Sequence, residues 1–253
     1  MPGLIPDYYS SLAPFRETFA RGCPVLMYHK LGPRPRGTRL KGLYVGEALF
    51  RRQLRELAAA GYSTIALDGL AAANFPSRRI ALTFDDGFEN VLRYGVGSLA
   101  QYGFKATQYL VADRLGQVND WEVREGEVPE RLMDKEQVRD WLAAGHAIGA
   151  HTLTHPRLTQ VSPAQAREEI AGSKKKLEDL FGLPMREFCY PYGDWNPAMR
   201  DEVAAAGYSA ACTTERGVNS AGADRLAYKR YMARYASRNW RNALLAIRGW
   251  LAG

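Results

Sequence analysis

Two adjacent aspartates, Asp85 and Asp86, end a short apolar segment of residues that favour strands, and Gly87 follows them. At the end of a strand the chain can turn so that both carboxylates face one site. Two carboxylates held close together in a dry pocket cannot easily both be free anions. One of them usually needs a cation, and the other is then available as a base. Asp-Asp-Gly is also a common turn sequence, so this motif alone leaves a simple bend open.

Two histidines, His151 and His155, stand four residues apart just after a predicted strand. On a helical turn this spacing puts both rings on one side, although Pro156 prevents a long helix from continuing. Metalloproteases use the same spacing with a glutamate after the first histidine, and Thr152 at that position argues against such a protease. Two imidazoles, one carboxylate and an open position for water describe a catalytic zinc site. A surface or core role is the alternative for each histidine, and His146 is expected at the opposite end of its strand in a structural role.

Short apolar segments alternate with segments of helical period along the chain. Strands are predicted at residues 25–28, 62–67, 79–84, 104–111, 147–150, 186–190, 208–213 and 228–233, and helices at 47–60, 90–101, 134–145, 162–181 and 196–207. This alternation predicts parallel strands wrapped by helices, with the longest loop at residues 116–131. Functional groups gather at the carboxyl ends of such strands. We therefore expect His29, the aspartate pair, His151 and Tyr192 at one rim.

Length and composition favour one large core. The 253 residues, 46% of them hydrophobic, suit a single domain over residues 1–253, with a core at about 23–235 and a closing helix at about 237–251. That helix mixes apolar residues with arginines, so it could lie on a membrane surface or dock on the core. No membrane span or secretory signal is seen, so a cytoplasmic protein is preferred over one whose leader has been removed, with membrane association left open.

Charge and cysteine content exclude several classes. The net charge of +7 suggests anionic partners or simply a solvated surface, and the scattered basic residues carry no nucleic-acid motif, so nucleic acid is rejected as the main partner. Cys23, Cys189 and Cys212 lack paired spacing, so neither a disulfide framework nor a cysteine zinc site is expected.

Three motifs occur in order: T-F-D-D-G at residues 83–87, H-T-L-T-H at 151–155 and Y-P-Y-G at 190–193. Together they resemble the first three motifs of the polysaccharide deacetylase family, over about residues 25–233. The family's enzymes are metal-dependent hydrolases that remove acetyl groups from N-acetylated sugars. The resemblance also implies an α/β fold, a distorted (β/α) barrel of seven or eight units.

The resemblance assigns roles by position. Asp86, His151 and His155 would be the metal ligands, and Asp85 the general base that activates the attacking water. Zinc is the default cation for this ligand set, while iron, cobalt or nickel would fit the same geometry. The backbone N–H of Tyr192 would help to stabilise the tetrahedral oxyanion, together with the metal.

Two departures from the family pattern concern the catalytic groups. Many members carry the general acid as a late histidine, but no histidine follows His155. His29, in a Tyr-His pair similar to that of the biofilm poly-N-acetylglucosamine deacetylase branch, is assigned as the acid, with an ordinary strand-end histidine as the alternative. Cys189 holds the position of the arginine that usually orients the base. Arg230, from the last strand, is the preferred replacement, although it could instead pair with any surface acid.

Aromatic residues near the predicted site could stack on sugar rings, and core packing is the alternative for each. The candidates are Tyr44, Trp121, Tyr192 and Trp195, and Trp195, next to the segment that contains Pro191 and Tyr192, is preferred. The expected function is the N-deacetylation of a polysaccharide, an oligosaccharide or a lipid-linked sugar. An amidase for a small non-sugar amide and a catalytically silent carbohydrate-binding protein are the alternatives.

Overall fold

The computed structural model of the protein describes residues 5–71 and 78–235. The strands in these residues are β1 (Val25–Tyr28), β2 (Lys30–Leu31), β3 (Tyr44–Val45), β4 (Ser63–Thr64), β5 (Arg79–Phe84), β6 (Thr107–Leu110), β7 (Ala147–Ala150), β8 (Glu187–Cys189), β9 (Ala210–Cys212) and β10 (Tyr231–Met232). The α-helices are α1 (Arg16–Phe19), α2 (Glu47–Ala59), α3 (Glu89–Gln101), α4 (Asp120–Val123), α5 (Lys135–Ala143), α6 (Pro163–Phe181) and α7 (Pro197–Ala205). The predicted closing helix lies outside the described residues.

One curved parallel sheet runs through the molecule in the order β10-β1-β5-β6-β7-β8-β9, and β4 pairs with the first residues of β5. Strands β2 and β3 form a separate parallel pair. Between the two ends of the main sheet, a parallel bridge joins Cys212 to Tyr228, just before β10. The sheet is therefore an incompletely closed barrel wrapped by helices, which confirms the predicted α/β fold.

Local sequence explains the main elements. β1 and residues 80–84 of β5 are buried, as expected for parallel strands covered on both faces. Helices α5 and α6 begin with the predicted capping boxes, Asp134 with Gln137 and Ser162 with Gln165. Helix α6 ends at Gly182, which adopts the left-handed conformation that favours glycine.

Five strands are shorter than predicted, those expected at 62–67, 104–111, 186–190, 208–213 and 228–233, and the predicted long loop contains helix α4. The segment 62–67 pairs with β5 only at Ser63 and Thr64, before a turn begins at Asp68. In the last predicted strand, 228–233, the N–H of Arg230 donates to the carbonyl of Glu215 instead of joining the β1 ladder, so β10 begins only at Tyr231. Apolar periodicity locates such segments but does not show how many of their residues find a partner strand.

No helix in the described residues has the length and apolar character needed to span a membrane. All three cysteines lie in the described part of the chain, where they are buried and free.

Glu187, the first residue of β8, provides a test of the fold away from the proposed site. Its carboxylate accepts hydrogen bonds from the Asp68 N–H and the Tyr109 hydroxyl, and burial raises its pKa from 4.5 to about 6. Because this pKa is raised on folding, the contribution of Glu187 to stability is complete below about pH 4.5 and is lost as the pH rises through about 6.

We therefore compare the unfolding free energy of Glu187→Gln with that of the wild type at each pH. The difference, variant minus wild type, should rise by about 2 kcal/mol from pH 4 to pH 7. Urea unfolding across this range measures the difference. A constant difference at all pH values would contradict the prediction.

Candidate metal centre and active site

The end of β5 places two adjacent carboxylates in the same buried region. The Asp85 N–H donates to the carbonyl of Tyr28 and so continues the β1–β5 ladder. Asp86 then adopts a left-handed backbone conformation (φ 74°), and Gly87 follows with φ 85°. This turn breaks the alternation of strand side chains, so neighbouring residues can both be 3% exposed within the site.

Asp86 contacts both histidines of the predicted metal site. Its Oδ1 lies 3.3 Å from Nε2 of His151 and 3.2 Å from Nε2 of His155. Burial alone would raise the pKa of Asp86, but its hydrogen bonds to the two imidazoles hold the pKa well below the ordinary value. The His151 Nδ1–H donates to the carbonyl of Cys189 over 2.7 Å, which leaves Nε2 available as a ligand atom. One buried carboxylate and two imidazoles within 4.8 Å of one another are a donor set that fits a divalent cation.

The loop that carries the two histidines is not the helical turn suggested by their spacing. Thr152 and His155 both have positive φ, 66° and 67°, and the Thr152 hydroxyl accepts the N–H of His155. Glu169, from α6, accepts hydrogen bonds from the N–H groups of Leu153 and Thr154. The rings are therefore brought together by a loop held from outside, and its anchor Glu169 carries no motif by which the sequence could have revealed it.

Arg230 forms a buried bidentate ion pair with Asp85. The two N–O distances are 2.7 and 2.8 Å, and Arg230 is 1% exposed. Its other hydrogen bonds go to the carbonyl of Thr213, to the Thr83 hydroxyl and to the sulfur of Cys189. Burial alone would raise the pKa of Asp85, but the guanidinium outweighs that effect and holds the pKa below its ordinary value.

His29 lies at the end of β1, with Nε2 3.8 Å from Oδ2 of Asp85. This distance is too long for a hydrogen bond and short enough for a strong charge interaction. The side chain is 14% exposed, the largest exposure in this group of ionisable residues. Burial lowers the pKa of His29, and the charges of Asp85 and Asp86 oppose that shift.

The segment after β8 contains two aromatic residues predicted to contact sugar, and only Tyr192 lies against a proposed metal ligand. Buried Pro191 precedes Tyr192, whose backbone is left-handed (φ 58°) and whose ring centroid lies 4.6 Å from that of His155. Trp195 is placed elsewhere in this segment, where its ring packs on Tyr190 and its Nε1–H donates to Glu215. Neither of these two contacts of Trp195 involves a proposed metal ligand.

Trp121 is the tryptophan that meets a metal ligand. Its ring stacks on His155 with centroids 4.4 Å apart and an interplanar angle of 23°. The neighbouring Glu122 accepts a hydrogen bond from Lys30 over 2.6 Å, and the Lys30 side chain is fully buried. Sequence reasoning missed this ion pair because its residues lie 92 positions apart in segments without periodic pattern. The only available signal was their adjacency to His29 and Trp121.

Backbone strain concentrates in the site. Of the five non-glycine residues with positive φ in the described ranges, four belong to the three motifs: Asp86, Thr152, His155 and Tyr192. Each such conformation costs on the order of 1–3 kcal/mol and persists only where the surroundings impose it. Strain of this kind is typical of functional sites.

Comparison with known proteins agrees with this geometry. A family model described as polysaccharide deacetylase matches residues 72–211, more than half of the chain. The chain belongs to the polysaccharide deacetylase family. The family is metal-dependent, and the described residues include a group that can hold a metal ion.

Two curated members of the family show how much of each protein is shared. YxkH of Bacillus subtilis, provisionally named a polysaccharide deacetylase, is 28% identical over 78% of this chain and 66% of its own length. The peptidoglycan-N-acetylglucosamine deacetylase PgdA of Listeria monocytogenes is 27% identical over 50% of this chain. That match spans 24% of PgdA, so the chain corresponds to only part of the curated relatives.

Solved structures of the family cover nearly the whole chain. The structure of the Streptococcus pyogenes deacetylase PplD in complex with acetate has a TM-score of 0.74 and 25% identity, over 88% of this chain and 96% of that one. IcaB from Ammonifex degensii, at 23% identity, has the same fold, with a TM-score of 0.70 over 90% of this chain and 97% of its own.

The two aspartates should respond differently to removal of their charge. We expect Asp86→Asn to weaken Zn²⁺ binding by about 100-fold, because it removes the only carboxylate that contacts both imidazoles in the described structure. Asp85→Asn should change the Zn²⁺ affinity by less than about fivefold, since Asp85 pairs with Arg230. Titration against a chromophoric chelator measures both affinities. Equal losses would contradict the assignment of Asp86 to the metal and of Asp85 to Arg230.

The buried ion pair gives a prediction for stability. Arg230→Met should lower the unfolding free energy by about 3–5 kcal/mol, because it leaves Asp85 buried without its counterion. Arg216→Met removes an exposed arginine that pairs with Asp7 and should cost less than about 1 kcal/mol. Denaturant unfolding of both variants measures the two losses of unfolding free energy. Similar losses would show that burial of the Asp85–Arg230 pair does not increase its contribution to stability.

Proposed function

We propose that this protein is a metal-dependent N-deacetylase that hydrolyses the acetamide of an N-acetylated sugar to acetate and a free amine. One observation carries the proposal: each of the two adjacent carboxylates has its own cationic or metal-ligand partners. Asp85 is held by Arg230, and Asp86 is held with His151 and His155. This division provides one carboxylate as a base and one as a ligand, as amide hydrolysis requires.

Asp86, His151 and His155 would hold a divalent cation, most simply zinc, whose charge makes water more acidic and polarises the acetyl carbonyl. Asp85 takes a proton from the attacking water. The low pKa that Arg230 gives Asp85 keeps it ionised at neutral pH and ready to accept that proton. The bidentate pair also fixes the orientation of the carboxylate.

The remaining steps use groups at the same rim. As the C–O bond forms, the carbonyl oxygen becomes an anion, which the backbone N–H of Tyr192 stabilises. The C–N bond then breaks, and protonated His29 donates its proton to the departing amine. Its closeness to Asp85 and its partial exposure support this role for His29. Trp195 packs on Tyr190, so its proposed role is that of a peripheral sugar contact.

The proposal also includes the domain extent, location and partners that the sequence predicts. These are a single catalytic domain over residues 1–253, a cytoplasmic location, no role for nucleic acid, and a closing helix that docks on the core or, as the alternative, contacts a membrane surface. The peptidoglycan relative acts on an N-acetylated sugar polymer, which supports the same class of substrate for this chain.

Variants of the two proton-transfer residues test the mechanism. Asp85→Asn and His29→Ala should each lower kcat by about 10²–10⁴-fold while Zn²⁺ content is retained, because each removes one proton transfer. Acetate release and new amine from N-acetylglucosamine oligomers measure kcat, and metal analysis of the same samples provides the control. Full activity of His29→Ala would remove His29 from the reaction.

The substrate class is tested with the wild-type enzyme. We expect faster hydrolysis of N-acetylglucosamine oligomers than of acetanilide and other simple amides at equal concentration. Faster hydrolysis of the simple amides would instead favour a small-molecule amidase. Sugar binding without hydrolysis or bound metal would identify a binding protein.

A further inference from the structure

We infer that Trp121 is a positioning residue for the metal ligand His155, and that the buried Lys30–Glu122 ion pair holds Trp121 in place. The inference rests on the proposed metal site and adds residues that none of the three motifs contains.

The two ligand histidines are fixed in different ways. A ligand histidine usually donates its second ring N–H to an acceptor, which sets the ring orientation. His151 does so with the carbonyl of Cys189. The Nδ1 of His155 is buried and has no hydrogen-bond partner among the described residues. Another interaction must therefore hold the His155 ring.

Among the aromatic contacts of that ring in the described residues, only the one with Trp121 is stacked. The two rings lie nearly parallel, 4.4 Å apart, and Trp121 is buried. Tyr192 also contacts His155, but edge-on, and Tyr192 is 37% exposed. A stacked aromatic face restricts tilting of the imidazole without using either ring nitrogen. Nε2 of His155 then stays directed toward Asp86.

Trp121 needs an anchor of its own because it lies on α4, a single helical turn inside the long loop. The next residue, Glu122, accepts hydrogen bonds from Lys30 over 2.6 Å and from Asn119 over 2.5 Å. Asn119 in turn accepts the N–H of Glu130, whose carboxylate is bonded to the Tyr44 hydroxyl. The loop is thus tied to the segment that follows β1.

A buried ion pair is a poor source of net stability, because desolvation of both charges offsets their attraction. Its better attested use is to specify one arrangement among several. Lys30 follows His29 directly, and Glu122 follows Trp121. The pair therefore fixes the spatial relation between the strand end that carries the proposed acid and the ring that holds His155.

The test measures Zn²⁺ affinity of the full-length apoprotein by competition with a chromophoric chelator. Trp121→Ala should weaken Zn²⁺ binding by about 10–100-fold, the usual effect of losing a residue that supports a ligand. Trp121→Phe, which keeps an aromatic face, should restore the affinity to within about threefold of the wild type. Val123→Ala, an exposed change on the same helix, should leave the affinity unchanged. Co²⁺ absorption provides a second measure, since a misplaced imidazole alters the d–d bands whereas a smaller folded fraction only reduces their intensity.

A double-mutant cycle tests the anchor. Lys30→Met/Glu122→Gln removes both charges, so the net charge near the cation is unchanged. This variant should weaken Zn²⁺ binding in the wild-type background and have no more than about a threefold effect when Trp121 is already alanine. Additive losses would overturn the anchoring role. Wild-type affinity in Trp121→Ala would overturn the positioning role, whereas a wild-type protein that binds no metal would overturn the metal site itself.

Discussion

The buried ion pair between Asp85 and Arg230 is the interaction on which the rest of the site depends. Two adjacent carboxylates of low exposure repel each other strongly, because little water screens them. Arg230 neutralises one of them through two parallel hydrogen bonds, so the other is free to share its charge with two imidazoles. If both aspartates competed for one cation, neither would keep the protonation state that its proposed task requires.

The pair in turn restricts its surroundings. The guanidinium fits beside the sulfur of Cys189, where the family usually has the arginine itself, and bonds to a strand hydroxyl and a loop carbonyl. The site also holds four residues in left-handed conformations. Such strain is compatible with folding because side chains from neighbouring elements bind these loops, as Glu169 does for the histidine loop.

Local patterns predicted much of this protein. Strands β1, β5 and β7 have the predicted bounds, because apolar runs of buried parallel strands end sharply at polar residues. The first two motifs predicted that Asp86, His151 and His155 lie together, as the structure shows, because a few adjacent residues determine each loop. The sequence did not favour Trp121 over Trp195 for contact with the site. The difference depends on Lys30 and Glu122, and a tertiary ion pair between distant irregular segments leaves no periodic trace. The helical spacing of the histidines was likewise misleading, since two left-handed residues bring the rings together.

The arrangement of the first and last strands has a consequence for how the enzyme comes into being. His29 and Arg230 both lie outside residues 72–211, which match the family model. His29 directly follows β1 and Arg230 directly precedes β10, and these two strands are neighbours in the sheet. A growing polypeptide that has reached residue 211 contains the proposed metal ligands and Asp85. It still lacks Arg230, the counterion of Asp85. Synthesis must reach residue 230 before the centre is complete. Proteolytic loss of the chain from Arg230 onward would have the same effect, because the segment that matches the family would remain without the counterion of Asp85.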